Sequence, residues 1–395
     1  LKSHFVKYSV EVESITVANS KQLEQSTLYL WIQLNASSLF CNTSREFGSS
    51  IEKELYKDMT VPELIDRILK KRSITFMGPA DKYMLISGEE GLEGWETVGT
   101  VNQRPPLLLE SCLSYDEIKL SAMVYVSGHT ECINDGTRKN SGVVREEGAE
   151  KDAVIIGAIG PRFQRHFRMD YEDILITEEQ NVPENGYGEE VTPTTCLNVL
   201  KTTYVRNNLS AKHMWRQMWS EFYQVRDYVE LPSISAIDVL FYSKGHVFDN
   251  EVYYKRISIL AETVLIEANA RAQEEGRQAY VNVIGCGMIH CALLNVNMSA
   301  GGINVQLLSR EPSSRLEGAD EGKLLVMTYP WDGNAHPGNE FWMGKLSSSG
   351  DPAAACSTQV AELHNAHINR GVRGHNTRVA AHAGLHTLAE YLRSI

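Results

Sequence analysis

Apolar positions along this chain recur at two spacings, and the switching between them predicts the architecture. Between residues 251 and 275, Ile257, Leu260, Val264 and Leu265 share one helical face, and Gly276 marks the stop. Trp215–Tyr223 repeats the helical spacing with aromatic residues. Thr60-Val-Pro-Glu63 and Ser114-Tyr-Asp-Glu117 read as capping boxes, in which hydroxyl and carboxylate satisfy N–H groups that a first turn leaves unpaired. The first helix closes on Lys70-Lys71-Arg72, and the second runs towards Val126. A further helix starts at Pro352, with Asp351 as its N-cap. Strand patterns fall at 5–17, 26–34, 74–77, 82–87, 95–100, 153–159, 280–285 and 324–329. Strands alternating with helices predict the α/β class, with a mixed sheet covered on both faces.

Composition narrows the class of function. A length of 395 residues allows about two to three domains at roughly 150 residues each. No repeat or low-complexity linker marks a boundary, and residues 1–100 are the segment richest in strand patterns. A hydrophobic content of 43% with 22% charged residues excludes large-scale disorder. The net charge of −12 argues against a surface that neutralises many nucleic-acid phosphates. It leaves room for a small phosphate-bearing ligand, which backbone N–H groups can hold without any lysine. No apolar run approaches the roughly 18–20 residues of a spanning helix, so no membrane partner is expected. Leu1-Lys2-Ser3-His4 is neither an initiator Met nor a signal sequence, which suggests that upstream residues were trimmed. Seven scattered cysteines argue against a disulfide scaffold and for a reducing, cytoplasmic setting.

Candidate chemistry gathers in three loops. After the 280–285 strand, Gly285, Cys286 and Gly287 would let backbone N–H groups approach a diphosphate, although a structural turn uses the same glycines. A full dinucleotide fingerprint is lacking, because the third glycine and a ribose-binding acid near 305 are absent. The densest stretch, Thr328 to Trp342, follows the 324–329 strand, where ligand loops of open α/β sheets gather. There Asp332, Asn334, Asn339 and Glu340 offer donors and acceptors, Gly333 shapes the turn, and Trp331 and Phe341 offer flat faces. In the third loop, Asn134, Asp135, Arg138 and Asn140 are placed to contact ribose or phosphate, or form an ordinary Asn-Asp-Gly turn. Gly318–Lys323 is one residue short of a phosphate-binding P-loop and lacks the following Ser or Thr. His364/His367 and His382/His386 stand one turn apart, but without a zincin motif they read as surface histidines. No metal or cofactor is expected.

Four segments together resemble a known family: Ile133–Gly142, Gly285–Gly287, Asp332–Glu340 and Ser349–Ala353. They look like a divergent branch of the macrodomains, similar to poly(ADP-ribose) glycohydrolases and to the MavL-type ADP-ribosylhydrolase effectors of Legionella. The resemblance spans roughly residues 74–370, and Asp332–Glu340 is its most specific part. It implies a three-layer α/β/α macrodomain-like fold with a mixed central sheet in residues 74–395. Residues 1–73 would then be an N-terminal extension or subdomain. It also implies an ADP-ribose cleft at the strand ends and hydrolytic release of ADP-ribose from a protein side chain. Arginine is a candidate linkage, ubiquitin a candidate substrate protein, and the cytoplasm (the host cytosol for a secreted effector) the setting.

The glycohydrolase run of three glycines followed by Gln-Glu-Glu is missing, and the only adjacent glycines are Gly301-Gly302. Removal of a single ADP-ribose unit is therefore favoured over polymer cleavage. Breaking the anomeric bond passes through an oxocarbenium-like state, which a carboxylate can stabilise while activating water. Asp332 is the expected carboxylate, with Asp135 or Glu340 as the second. The alternative is a module that reads ADP-ribose without cleaving it, and a third reading is a nucleotide-dependent transferase.

Overall fold

The computed structural model describes residues 29–31, 34–137, 140–145, 147–163, 165–177, 179–180, 211–225, 247–283, 310–329, 335–344, 356–357, 359–381 and 384–394. Their helices are α1 (Leu34–Phe47), α2 (Ser50–Tyr56), α3 (Val61–Lys70), α4 (Tyr115–Ser121), α5 (Asp170–Ile174), α6 (Ala211–Tyr223), α7 (Asn250–Glu275), α8 (Asn339–Trp342), α9 (Gln359–Leu363) and α10 (Leu388–Ser394). Their strands are β1 (Tyr29–Trp31), β2 (Thr75–Met77), β3 (Lys82–Met84), β4 (Glu90–Gly91), β5 (Tyr125–Glu131) and β6 (Asp152–Gly157). They continue with β7 (Leu175–Ile176), β8 (Val247–Phe248), β9 (Ala279–Asn282), β10 (Leu324–Tyr329), β11 (Thr377–Ala381) and β12 (Gly384–Thr387).

The central sheet has the order β12-β11-β1-β5-β6-β10-β9. β6, β10 and β9 run parallel to one another, and β1 runs parallel to β11. β5 is antiparallel to both of its neighbours, so the sheet is mixed, as the strand–helix alternation predicts. β1 lies between β11 and β5, so the chain before residue 74 shares this sheet.

Every residue of β10 is buried, because helices cover both faces of the sheet. Leu324 and Val326 meet Ile257, Leu260, Val264 and Ala268 of α7 on one face. Leu325, Met327 and Tyr329 meet Val360 of α9, together with Leu316 and Cys356, on the other. Each aliphatic side chain withdrawn from water on these faces contributes about 1.5–3 kcal/mol before the cost of ordering it. No described helix is long and apolar enough to cross a membrane.

Helix α7 follows its sequence pattern to within one residue: Asp249 caps it by accepting from Glu251 N and Val252 N, and Gly276 ends it at φ +62°. Other elements depart from expectation. The strand expected at 95–100 is instead a 3₁₀ turn over Trp95–Thr97, because the core takes the Trp95 indole and Leu113 O accepts its N–H at 2.9 Å. The strand expected at 82–87 ends at Met84, and only 29–31 of the 26–34 pattern is described as strand. The patterns at 5–17 and at Pro352 lie outside the described residues.

Candidate active site

Parallel β6, β10 and β9 deliver the segments after Gly157, Tyr329 and Asn282 to one edge of the sheet. In open α/β sheets, ligands bind outside such strand ends. The segment after β6 is held from below. Arg256, fully buried on α7, donates from Nη2 to Ile159 O at 2.7 Å and from Nε to Asp170 Oδ1 at 3.2 Å. Asp170 Oδ2 accepts from Arg162 N at 2.9 Å, so one carboxylate fixes both ends of the turn.

At the end of β10, the Tyr329 hydroxyl lies 2.6 Å from His364 Nδ1, with both side chains buried. His364 is thus a core residue, contrary to the expectation of a surface histidine. The phenol neighbour and the packing of α9 place it there, and helical spacing alone carries neither. His367, one turn on, is exposed, as expected. Burial pulls the imidazoles of His364 and His336 down to about 3, with the neighbouring His367 and Arg72 adding to the shift at His336. Both rings are therefore neutral at physiological pH.

Residues 330–334 lie outside the described set, and with them Trp331, Asp332, Gly333 and Asn334. The chain is described again at Ala335, which bridges Ser73, while His336 N donates to Ser73 O at 2.9 Å. Asn339 is buried and donates from Nδ2 to Ile74 O at 3.0 Å, so its amide clamps the far end of this loop. Glu340 and Phe341 are half-buried in α8, and Phe341 packs edge-on against Trp342 at 5.3 Å. Gly285, Cys286, Gly287 and Arg138 also lie outside the described residues.

The third loop leaves from the opposite edge, because β5 runs against β6. Its side chains are engaged in their own turns. Asn134 accepts from Gly136 N at 2.9 Å and donates to Val143 O at 3.1 Å. Asp135 accepts from Thr137 N at 2.9 Å and from its hydroxyl at 2.6 Å, and these bonds hold its carboxyl below the usual range. Asn140 accepts from Gly142 N at 2.7 Å. The loop is also tied to the end of β9 through residues 312–313, since Ser313 N donates to Asp135 O at 2.9 Å and Asn282 Nδ2 donates to Pro312 O at 3.1 Å.

Two carboxyls that the sequence reading missed stand on α5 and α4, which flank the edge where β6 ends and β5 begins. Glu172, half-buried, is pushed up to about 7 by desolvation and then by the charges of Asp116 and Asp173. Asp116 is pushed up to about 6 by desolvation and then by Glu52. Lys119 closes this group by pairing with Asp173 while lying 3.9 Å over the Trp219 ring. The acidic run Asp170–Asp173 was visible in the sequence, but only burial beside α4 raises the proton affinity of Glu172 and Asp173. Among the described residues no His, Cys, Asp and Glu group could hold a metal ion.

A model of the MavL-like ADP-ribosylhydrolase family matches residues 12–290 and 289–394. The chain belongs to that family. The chain is also 37% identical to the ADP-ribosylarginine hydrolase CG3568 of Drosophila melanogaster, over 94% of this chain and 80% of the relative. It is 34% identical to the ADP-ribosylarginine hydrolase CG2909 of the same organism, over 94% of this chain and 81% of the relative. These likenesses bear out the resemblance to MavL-type enzymes and extend it to nearly the whole chain, beyond residues 74–370.

Proposed function

We propose that this chain removes single ADP-ribose units from arginine side chains of proteins. The observation that carries this reading is the match to MavL-like ADP-ribosylhydrolases together with two relatives named as ADP-ribosylarginine hydrolases. In the proposed reaction, backbone N–H groups of Gly285–Gly287 hold the diphosphate. Asp332 activates a water molecule, and Glu340 supports the oxocarbenium-like state. Water adds to the anomeric carbon, the bond to the guanidinium nitrogen breaks, and that nitrogen takes up a proton. Intact arginine and ADP-ribose leave. Within the same proposal the fold is macrodomain-like, the modified protein is ubiquitin, and the setting is the cytoplasm.

The test uses a protein carrying ADP-ribose on arginine, with release of ADP-ribose as the readout. The wild-type chain releases it, and Asp332→Ala slows release by about 10²–10⁴-fold, the range for loss of a general base. Equal rates for variant and wild type would remove Asp332 from the mechanism. ADP-ribose binding by the wild type without any turnover would favour the reader module instead.

A further inference from the structure

Cys132 and Cys356 are far apart in the chain and meet on the sheet face covered by α9. Ile133 N donates to Cys356 O at 2.8 Å, which sets the two backbones side by side. Two residues before Cys132 and one after Cys356, the hydroxyls of Thr130 and Ser357 are also in contact. Both thiols are buried in one cluster, Cys132 at 5% and Cys356 at 0% exposure, and they are hydrogen-bonded to each other. Met327 Sδ lies 4.0 Å from Cys356 Sγ. The environment also divides the pair. Hydrogen bonding from Cys132 and from Ser313 lowers the proton affinity of Cys356, and the Cys132 thiol is pushed far up. One sulfur is thereby favoured as nucleophile and the other as proton holder.

We propose that Cys132 and Cys356 form a redox modification site, in which a peroxide joins them as a disulfide that staples the 132–145 loop to the entry of α9. The Cys356 thiolate attacks one oxygen of hydrogen peroxide. The S–O bond forms, the O–O bond breaks, and hydroxide leaves and takes up the proton that the Cys356 thiol gave up on ionising, so that one water departs and a sulfenic acid stands on Cys356. The Cys132 sulfur then attacks that sulfur. The S–S bond forms, the S–O bond breaks, and a second water carries away the thiol proton. Two thiols and one peroxide become one disulfide and two waters, with the two sulfurs oxidised and the peroxide reduced. The cross-link constrains the unfolded chain over a long loop, which favours the folded state. Cys41 and Cys112 are built-in controls. Each is buried in a different cluster, and burial pushes their thiols up to about 11 and about 12.

The experiment treats the full chain with hydrogen peroxide, alkylates the remaining thiols under denaturing conditions, and maps non-reduced peptides by mass spectrometry. The expected product is a Cys132–Cys356 peptide pair, two hydrogens lighter than its separate parts and split by dithiothreitol. Oxidation raises Tm by several degrees in the wild type and leaves Cys132→Ser unchanged. Recovery of both cysteines as separate alkylated or over-oxidised peptides would overturn the proposal. So would linkage of either one to another cysteine in equal yield. The peptide map of the wild type decides the matter even where the serine variant fails to fold.

Discussion

Glu117 shows how much one side chain carries at the residue scale. Its Oε1 accepts from the Tyr56 hydroxyl and from Arg67 Nε, each at 2.6 Å. Its Oε2 accepts from Arg67 Nη2 at 2.9 Å and from Ser114 N at 3.0 Å. The last of these completes the capping box expected from Ser114-Tyr-Asp-Glu117, whereas the buried ion pair has no signature at fifty residues' separation. Removing one partner of such a pair strands a buried charge, which costs about 3–5 kcal/mol. Glu117→Gln is therefore expected to lower unfolding free energy by about that much in urea titrations. Ser114→Ala, which loses only a cap, should cost about 1 kcal/mol. Equal losses for the two variants would show that the Arg67 pair adds nothing beyond the cap.

At the scale of elements, the contact between α8 and α9 depends on Gly338. Its φ is +68°, and a Cβ there would stand 2.9 Å from Ala361 Cα and 3.0 Å from Ala361 N. Both backbone conformation and space therefore exclude a side chain. Gly338→Ala is expected to cost about 1–3 kcal/mol and to shift α8, which carries Glu340. The measurement is thermal unfolding paired with the hydrolysis assay. A variant with wild-type Tm and rate would show that α8 accommodates the change without cost. Long α7 was legible because its cap, apolar stripe and stop all lie within one segment. Short α8 and α9 were not, because α8 is held by α9 and by Asn339 on Ile74, and α9 by Val360 packed on β10.

At the scale of the whole molecule, four strongly shifted groups pull the pH dependence of stability in opposite directions. His336 and His364 have folded values near 3, below the ordinary 6.5. The unfolded chain thus takes up protons that the folded chain refuses. Stability is complete above pH 6.5 and falls as pH drops towards 3, by about 1.4 kcal/mol per pH unit for each imidazole. Glu172 and Asp116 act in the opposite sense, since their folded values, about 7 and about 6, lie above the ordinary 4.5 and 3.8. Their carboxyls favour the folded state more as pH falls from 7 to about 4. The two trends oppose each other across pH 4–6.5. A shallow profile there, with steep acid unfolding below pH 4, is expected from urea titrations at successive pH values. A steep decline starting directly at 6.5 would show that the carboxyls do not offset the histidines.

The sequence alone determined what is local or carried by a motif. The α/β alternation, the α7 boundaries, the Ser114 cap and the resemblance to MavL-type hydrolases all lie in short runs of neighbouring residues. Tertiary structure decided what depends on residues far apart. It turned His364 into a buried partner of Tyr329, spent Asn134, Asp135 and Asn140 on their own turns, and used Asn339 as a clamp on Ile74. It also raised Glu172 and Asp116 towards neutrality and brought Cys132 against Cys356. The physical reason is the same in each case. Strand direction fixes which sheet edge a loop leaves from, and burial fixes what a polar side chain must bond. Neither is encoded in the spacing of the residues concerned.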